Sequence, residues 1–317
     1  MRYIIFGAGA VGGITGASLF EHGHEVVLIA RGTHLGVMKQ SGLRAIYPDR
    51  ETHQKIPAVD HADDIEWRDD DVVFLTMKTQ DTERALSDLE AAAGNDVPVF
   101  CVQNGIENER LAARRFRNVY GVNVLMPASF LQPGIVSVSA SPFAGVLDAG
   151  RYPSGMDATL EQVAADLEGS KLKCQPMEDI RPWKNAKLIR NLANGLQGAC
   201  GMDVDTSDIR AKLEAEARAV FEKAQLPVTP SDVFIERTTY APPSGGGSSG
   251  WQSVMRGTGS IEADYLNGEI VLLGRIHGVP TPYNEAVRRS ANRVARLKQT
   301  PGACTPEEIH ALAAQLS

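Results

Sequence analysis

The stretch WKNAKLIRNLANG, Trp183–Gly195, carries an amine and two amides at helical spacing. At about 100° per residue, Lys187, Asn191 and Asn194 fall within about 60° of one another on one helix face. Such a face is costly inside an apolar core and makes sense lining a polar pocket. There a lysine can give a proton to a carbonyl oxygen as hydride reaches the carbon, and amides can hold a carboxylate or hydroxyl. Partial burial would lower the lysine pKa toward neutrality and make it a better acid. A hydrated helix face is the competing reading, and Lys184, three residues earlier on a nearby face, is a rival for the same role. SIEADYLNG, Ser260–Gly268, is a second such stretch. Ser260 can cap a helix whose positive end suits Glu262 and Asp264, and one of these acids can also reach the pocket to orient lysine or substrate.

At the other end of the chain, RYIIFGAGAVGGITG runs from an apolar strand through Gly7, Gly9 and Gly12 into a helical stretch. This strand–glycine–helix context is what a dinucleotide loop needs. Gly7 permits the tight turn, Gly9 lets backbone approach a pyrophosphate, and Gly12 allows close helix–strand packing. Ala8, Ala10 and Val11 complete the loop, which places the anion at the helix N-terminus. The second strand ends in LIARG, with Ala30 and Arg31 where an NAD site usually carries a carboxylate. A guanidinium in that place favours a 2′-phosphate, so the expected cofactor is NADP(H).

These groups need elements to hold them. The first half alternates β-rich and helical runs: strands at Tyr3–Phe6, Glu25–Ile29, Val72–Thr76, Val97–Val102 and Val119–Val124, with helices such as Gly12–Glu21 and Thr82–Ala93 between them. That alternation implies a Rossmann-type parallel sheet wrapped by helices. Gly134–Ser139 is expected as an edge strand, Asp157–Gly169 as a helix and Lys171–Gln175 as extended chain. Beyond about Asp179 the pattern turns helical, at Ile180–Ala199, Thr206–Gln225, Ile261–His277, Tyr283–Lys298 and Pro306–Leu316. The expected organisation is therefore α/β, residues 1–179 binding NADP(H) and 180–317 forming an all-helical substrate domain. The Gly/Ser-rich Ala241–Trp251 is expected to be a mobile loop and a candidate lid.

With 317 residues the chain is long enough for two cores, and its net charge of −7 argues against nucleic acid as a partner. Its apolar runs fall short of a bilayer span, and the first strand leaves no room for a signal peptide. Cys101, Cys174, Cys200 and Cys304 show no CxxC spacing, and the histidines show no metal-ligand spacing. The expected setting is the reducing cytoplasm, without metal or membrane.

Taken in order, GAGAVGG, LIARG, MKTQDT, VQNGIENE, AKLIRNLAN, SSGWQ and EADYLNGEIV resemble the ketopantoate reductase family of NADPH-dependent 2-dehydropantoate 2-reductases over nearly the whole chain. The resemblance implies a Rossmann domain, a helical domain and an active site in the cleft between them. It puts the dinucleotide on Gly7 to Gly12 and its 2′-phosphate on Arg31, with Lys78 and Asn104 near the nicotinamide half. It makes Lys187 the general acid with Asn191 beside it, gives the substrate carboxylate to Ser249, and sets Glu262 at the cofactor–substrate junction. Three positions depart from the family pattern. Its second asparagine falls on Gly195, with Asn194 the nearest amide. A glutamine three residues after Lys78 is replaced by Asp81, and the Asp after SSMxQ by Ser253. These changes touch the substrate side. The function implied is reduction of a small 2-oxo acid, foremost 2-dehydropantoate. The alternatives are another 2-oxo or 3-hydroxy acid, since a Lys-x-x-x-Asn helix also resembles β-hydroxyacid dehydrogenases, or a non-catalytic NADP(H)-binding sensor. A homodimer through the helical part stands as a working expectation.

Overall fold

The computed structural model describes residues 1–242 and 247–317. The chain opens with β1 (Arg2–Phe6), α1 (Ala10–Glu21), β2 (Glu25–Ile29) and α2 (Gly32–Ser41). Short strands β3 (Leu43–Ile46), β4 (Glu51–Gln54) and β5 (Ala58–Val59) precede β6 (Asp71–Leu75), α3 (Thr82–Ala93), β7 (Val99–Cys101), α4 (Asn108–Ala112) and β8 (Val119–Leu125). Then come β9 (Ala128–Gln132), β10 (Ile135–Val138), β11 (Gly145–Arg151), α5 (Ala158–Gly169) and β12 (Leu172–Lys173). The rest is helical: α6 (Arg181–Asn191), α7 (Ala193–Cys200), α8 (Ser207–Lys223), α9 (Ser231–Thr238), α10 (Ser249–Met255), α11 (Asn267–His277), α12 (Pro282–Arg296) and α13 (Pro306–Leu316).

The chain divides into two compact units. The first comprises Met1–Gln103, Asn108–Lys184 and residues 231–242; the second comprises Asn104–Glu107, Asn185–Pro230 and residues 247–317. At this point in the chain the two units meet inside α6, after Lys184. The stretch carrying α9 belongs to the first unit. A buried pair accounts for that return: Arg237 Nε donates to Asp148 Oδ2 at 3.0 Å, and Asp148 is fully buried on β11.

In the first unit the eight-stranded sheet has the order β12-β11-β8-β7-β6-β1-β2-β5. From β5 to β8 all neighbours are parallel, in the doubly wound dinucleotide-binding order. The sheet is nevertheless mixed, because β11 runs antiparallel to β8. Both faces are covered, so its central strands are mostly apolar, and the charged residues that open β1 and β6, Arg2 and Asp71, pair with each other at 2.6 Å. One face carries Tyr3, Phe74, Phe100 and Tyr120 across four strands, with successive ring centroids 5.5, 5.3 and 4.2 Å apart. The other packs Ile4, Val73, Leu75 and Val99 against Leu86 and Leu89 of α3.

Ile135–Val138, expected as an edge strand, instead joins a separate four-stranded sheet of order β4-β3-β10-β9. The second unit packs α7, α8, α11, α12 and α13 around Leu196, Leu213, Phe221, Ile270, Val287 and Ile309, with Ile106 against the same core. Among the described residues no helix is long and apolar enough to cross a membrane.

Three helical expectations change. Ile180–Ala199 is two helices, α6 and α7, meeting at Leu192. The helix expected from Ile261 starts later: a single 3₁₀ turn, Glu262–Asp264, has Ile261 at its N-cap and precedes α11, which begins at Asn267 with Leu266 at its N-cap. Of the expected mobile loop, residues 243–246 lie outside the described residues. By Ser248 that stretch is already a helix cap, its Oγ accepting from Trp251 N at 3.3 Å.

Candidate active site

The glycine turn sits between the ends of β1 and β6, where the strand order reverses and where such sheets bind ligands. Gly7 has φ +113°, and a Cβ there would lie 2.9 Å from Met77 N. A Cβ on Gly12 would overlap Gly7 O and Thr76 Oγ1. Gly9, the N-cap of α1, has nothing within 4 Å of where its Cβ would be. Two glycines thus close the turn from inside while the third leaves backbone open to an incoming group. Ala10 and Val11 form the first turn of α1, which holds no acidic residue, so its N-terminal dipole end is uncompensated. This cradle fits a dinucleotide pyrophosphate.

The turn is braced by residues that carry no motif. Thr76 Oγ1 donates to Gly7 O at 2.7 Å. His34, buried on α2, accepts the Gly134 N–H at Nδ1 (2.8 Å) and stands 2.7 Å through Nε2 from Ala8 O. A backbone N–H can only donate, so Nδ1 is unprotonated and Nε2 carries the proton given to Ala8. Burial lowers the His34 pKa, in keeping with a neutral ring.

Arg31 is the N-cap of α2 and half exposed, its Nη2 3.5 Å from Asp88 Oδ2 on α3. Lys78 is the N-cap of the 3₁₀ turn Thr79–Asp81 that follows β6. Gln103, beside Asn104 in sequence, donates to Met77 O at 2.9 Å and to Thr82 Oγ1 at 2.8 Å, tying the end of β7 to that turn.

Helix α6 starts with Asp179 Oδ1 accepting the Arg181 N–H at 3.0 Å and with Pro182 in its first turn. The two lysines of this helix have different surroundings. Lys184 Nζ lies 2.6 Å from Glu109 Oε1, with the side chains 5% and 2% exposed, and donates to Gln103 O (3.0 Å) and Val122 O (3.1 Å). With two backbone carbonyls accepting from it and a buried carboxylate beside it, the rival lysine is a structural ion in the first unit. Lys187 belongs to the second unit and is partly buried. Burial, aided by the like charge of Arg190, brings its pKa from 10.5 down to about 8.

The amides of the same stretch meet partners within the second unit. Asn191 is buried and donates through Nδ2 to Asn104 Oδ1 at 3.0 Å; Asn194 Nδ2 donates to Ser249 Oγ at 3.3 Å. Four of the expected residues are therefore joined in two pairs. Glycines make the second pair possible. A Cβ on Gly250 would overlap Asn194 O, so α10 can lie against α7 only with glycine there. A Cβ on Gly195 would come within 2.9 Å of Asn267 Oδ1. Position 195 thus faces the helical core, and the amide next to it points to Ser249. Glu262 is buried in its 3₁₀ turn and faces Arg256 of the segment after α10, opposing the downward pull of burial on that guanidinium. Arg256 Nη2 is 3.4 Å from Ser253 Oγ, at the position where the family pattern has Asp. The sequence reading missed Gln103, His34, Glu109 and Asp88, whose roles come from partners distant along the chain.

Comparison with known proteins adds an independent line. The family model described as ketopantoate reductase PanE/ApbA matches residues 3–152, and its C-terminal companion matches residues 179–294. The 2-dehydropantoate 2-reductase of Pyrococcus horikoshii is 27% identical over 300 residues, covering 90% of this chain and 94% of that protein. Among solved structures, a PanE/ApbA family ketopantoate reductase from Ralstonia eutropha JMP134 superimposes with TM-score 0.80 at 25% identity, over 94% of this chain and 99% of that one. D-mandelate dehydrogenase, solved with NADH and anilino(oxo)acetate, superimposes with TM-score 0.83 at 26% identity, over 95% and 100%.

Proposed function

The chain belongs to the ketopantoate reductase family, oxidoreductases acting on CH–OH groups, and from that premise we propose that it reduces 2-dehydropantoate to pantoate with NADPH. The observation that carries the chemistry is the Lys187 ammonium, with its pKa near 8, on α6, whose last residue is Asn191, while Asn194 lies in the first turn of α7. A reduced nicotinamide, when bound, supplies the hydride that goes to the carbonyl carbon of the substrate. Lys187 Nζ gives a proton to the carbonyl oxygen as that oxygen becomes an alkoxide, and regains it from solvent. Asn194 and Ser249 hold the carboxylate through an N–H and an O–H, while Asn191 and Asn104 fix the hydroxyl end. Glu262, buried and acidic, orients the group that faces it. The glycine turn takes the pyrophosphate, Lys78 lies toward the nicotinamide half, and Arg31 takes the 2′-phosphate. Four buried free cysteines support work in a reducing compartment such as the cytoplasm.

A second reading has its own support. The likeness to D-mandelate dehydrogenase favours a different 2-oxo acid as substrate. Steady-state kinetics with NADPH on ketopantoate, pyruvate, branched 2-oxo acids and the 2-oxo acid of mandelate separates the two. The proposal expects the highest kcat/KM on ketopantoate. A higher value on another acid replaces the substrate, and NADPH binding without turnover of any acid makes the protein a sensor. Arg31→Ala should weaken NADPH far more than NADH; equal weakening would remove the 2′-phosphate assignment.

A further inference from the structure

Three nitrogen groups from three elements converge on one carboxylate oxygen. Asp88 Oδ2 is 3.5 Å from Arg31 Nη2, 3.4 Å from His61 Nε2 and 3.9 Å from Arg84 Nε. Arg31 begins α2 after β2, His61 follows β5, and Arg84 and Asp88 are one turn apart on α3. The acid is the fixed member, its side chain 20% exposed, whereas those of Arg31 and Arg84 are 49% and 76% exposed. Asp63 Oδ2 lies 3.1 Å from His61 Nδ1.

We propose that Asp88 sets the choice between the two nicotinamide dinucleotides by holding Arg31, Arg84 and His61 on itself, and that Arg84 is the second guanidinium for the 2′-phosphate. This rests on the reading of Arg31 as the 2′-phosphate residue. A carboxylate beyond the second strand normally arrives from that strand's own end and accepts from a ribose hydroxyl. Here the strand ends in Ala30–Arg31, and the carboxylate arrives from α3 instead. The site therefore holds guanidiniums suited to a phosphate and an acid suited to a hydroxyl. Solvent-exposed ion pairs bind weakly, so a dianionic phosphate competes for the two arginines with advantage. Asp88 opposes it twice, by neutralising the arginines and by repelling the phosphate. With a ribose hydroxyl in place, the same carboxylate is an acceptor.

The test is calorimetric titration of the full chain with adenosine 2′,5′-bisphosphate and adenosine 5′-monophosphate, which reads binding without turnover. Asp88→Asn removes the charge and keeps the shape. It should tighten the bisphosphate about three- to tenfold and leave the monophosphate within about twofold, since each exposed pair removed is a small term. Arg84→Gln should weaken the bisphosphate by a similar factor without weakening the monophosphate. Thermal melts of both variants should match the parent. An unchanged bisphosphate-to-monophosphate ratio in Asp88→Asn overturns the proposal. If Arg31→Ala still lowers the ratio in that case, the NADP(H) reading survives; if Arg31→Ala is also flat, both fail.

Discussion

The proton donation proposed for Lys187 would leave a signature in the pH dependence of reduction. Its ammonium is partly buried on α6, with Arg190 three residues on, and titrates near pH 8 instead of 10.5. Only the charged form can give the proton. The kcat/KM for reduction, which reports the free enzyme, should be level up to about pH 7, halve near pH 8 and fall to roughly a tenth at pH 9. A lysine titrating at its ordinary value would still be about 97% charged at pH 9, so the ratio of rates at pH 9 and pH 7 separates the cases by about tenfold. Arg190→Gln removes the like charge and should move the fall to higher pH. Lys187→Arg keeps a cation that does not titrate in this range, so the alkaline fall should vanish together with most of the turnover. The measurement is initial rates from about pH 6.5 to 10 at constant ionic strength, with kcat and KM resolved. A fall that begins only above about pH 10, or one that Arg190→Gln does not move, refutes the assignment.

Glu109→Gln should strand the buried Lys184 ammonium and cost about 3–5 kcal/mol in urea unfolding, while Glu109→Gln with Lys184→Met should recover most of it. A single-variant loss under about 1 kcal/mol would show that the pair is hydrated. Gly12→Ala should destabilise by about 1–3 kcal/mol, because its Cβ overlaps fixed backbone. Gly9→Ala should melt like the parent yet bind NADPH at least about tenfold more weakly; equal binding would mean that the open side of Gly9 is not where the pyrophosphate lies. The His34 pKa is lowered in the folded protein, so its contribution is fully present above the unfolded value of 6.5 and is lost as pH falls through the folded one. Stability should drop on acidification below about pH 6.5 by up to about 1.4 kcal/mol per pH unit, and His34→Gln should remove that slope; an unaltered slope would assign it to other groups.

The elements that carry the cofactor cradle were legible because local physics fixes them. Residues 3–6 form an apolar run followed by glycine, and the structure begins its strand one residue earlier, at Arg2, whose guanidinium pairs with Asp71 of β6. The helices α12 and α13 also fall within two residues of their expected limits, since each has an apolar face and Pro at its start. The second sheet was not legible. The Glu51–Gln54 strand has no fully buried residue, so it carries no apolar alternation to read. The β11 sequence GVLDAGR hid behind its glycines and an aspartate that is tolerable inside the sheet only because Arg237 reaches it from α9. At the site, helical spacing brought Lys187, Asn191 and Asn194 to one face but could not rank Lys187 above Lys184, about 60° away. Glu109, distant in sequence, decides between them. Ser249 was assigned to a loop because glycines and serines precede it, although Ser248 is the cap of a short helix.

The imidazole that joins Ala8 to Gly134 has a consequence for the nascent chain. The amino-terminal turn leaves the ribosome early, but its outer clasp is supplied by a hairpin a hundred residues downstream of His34. The clasp on the glycine turn is therefore complete only once synthesis has passed residue 134, and fragments that stop short of it should hold that turn less firmly.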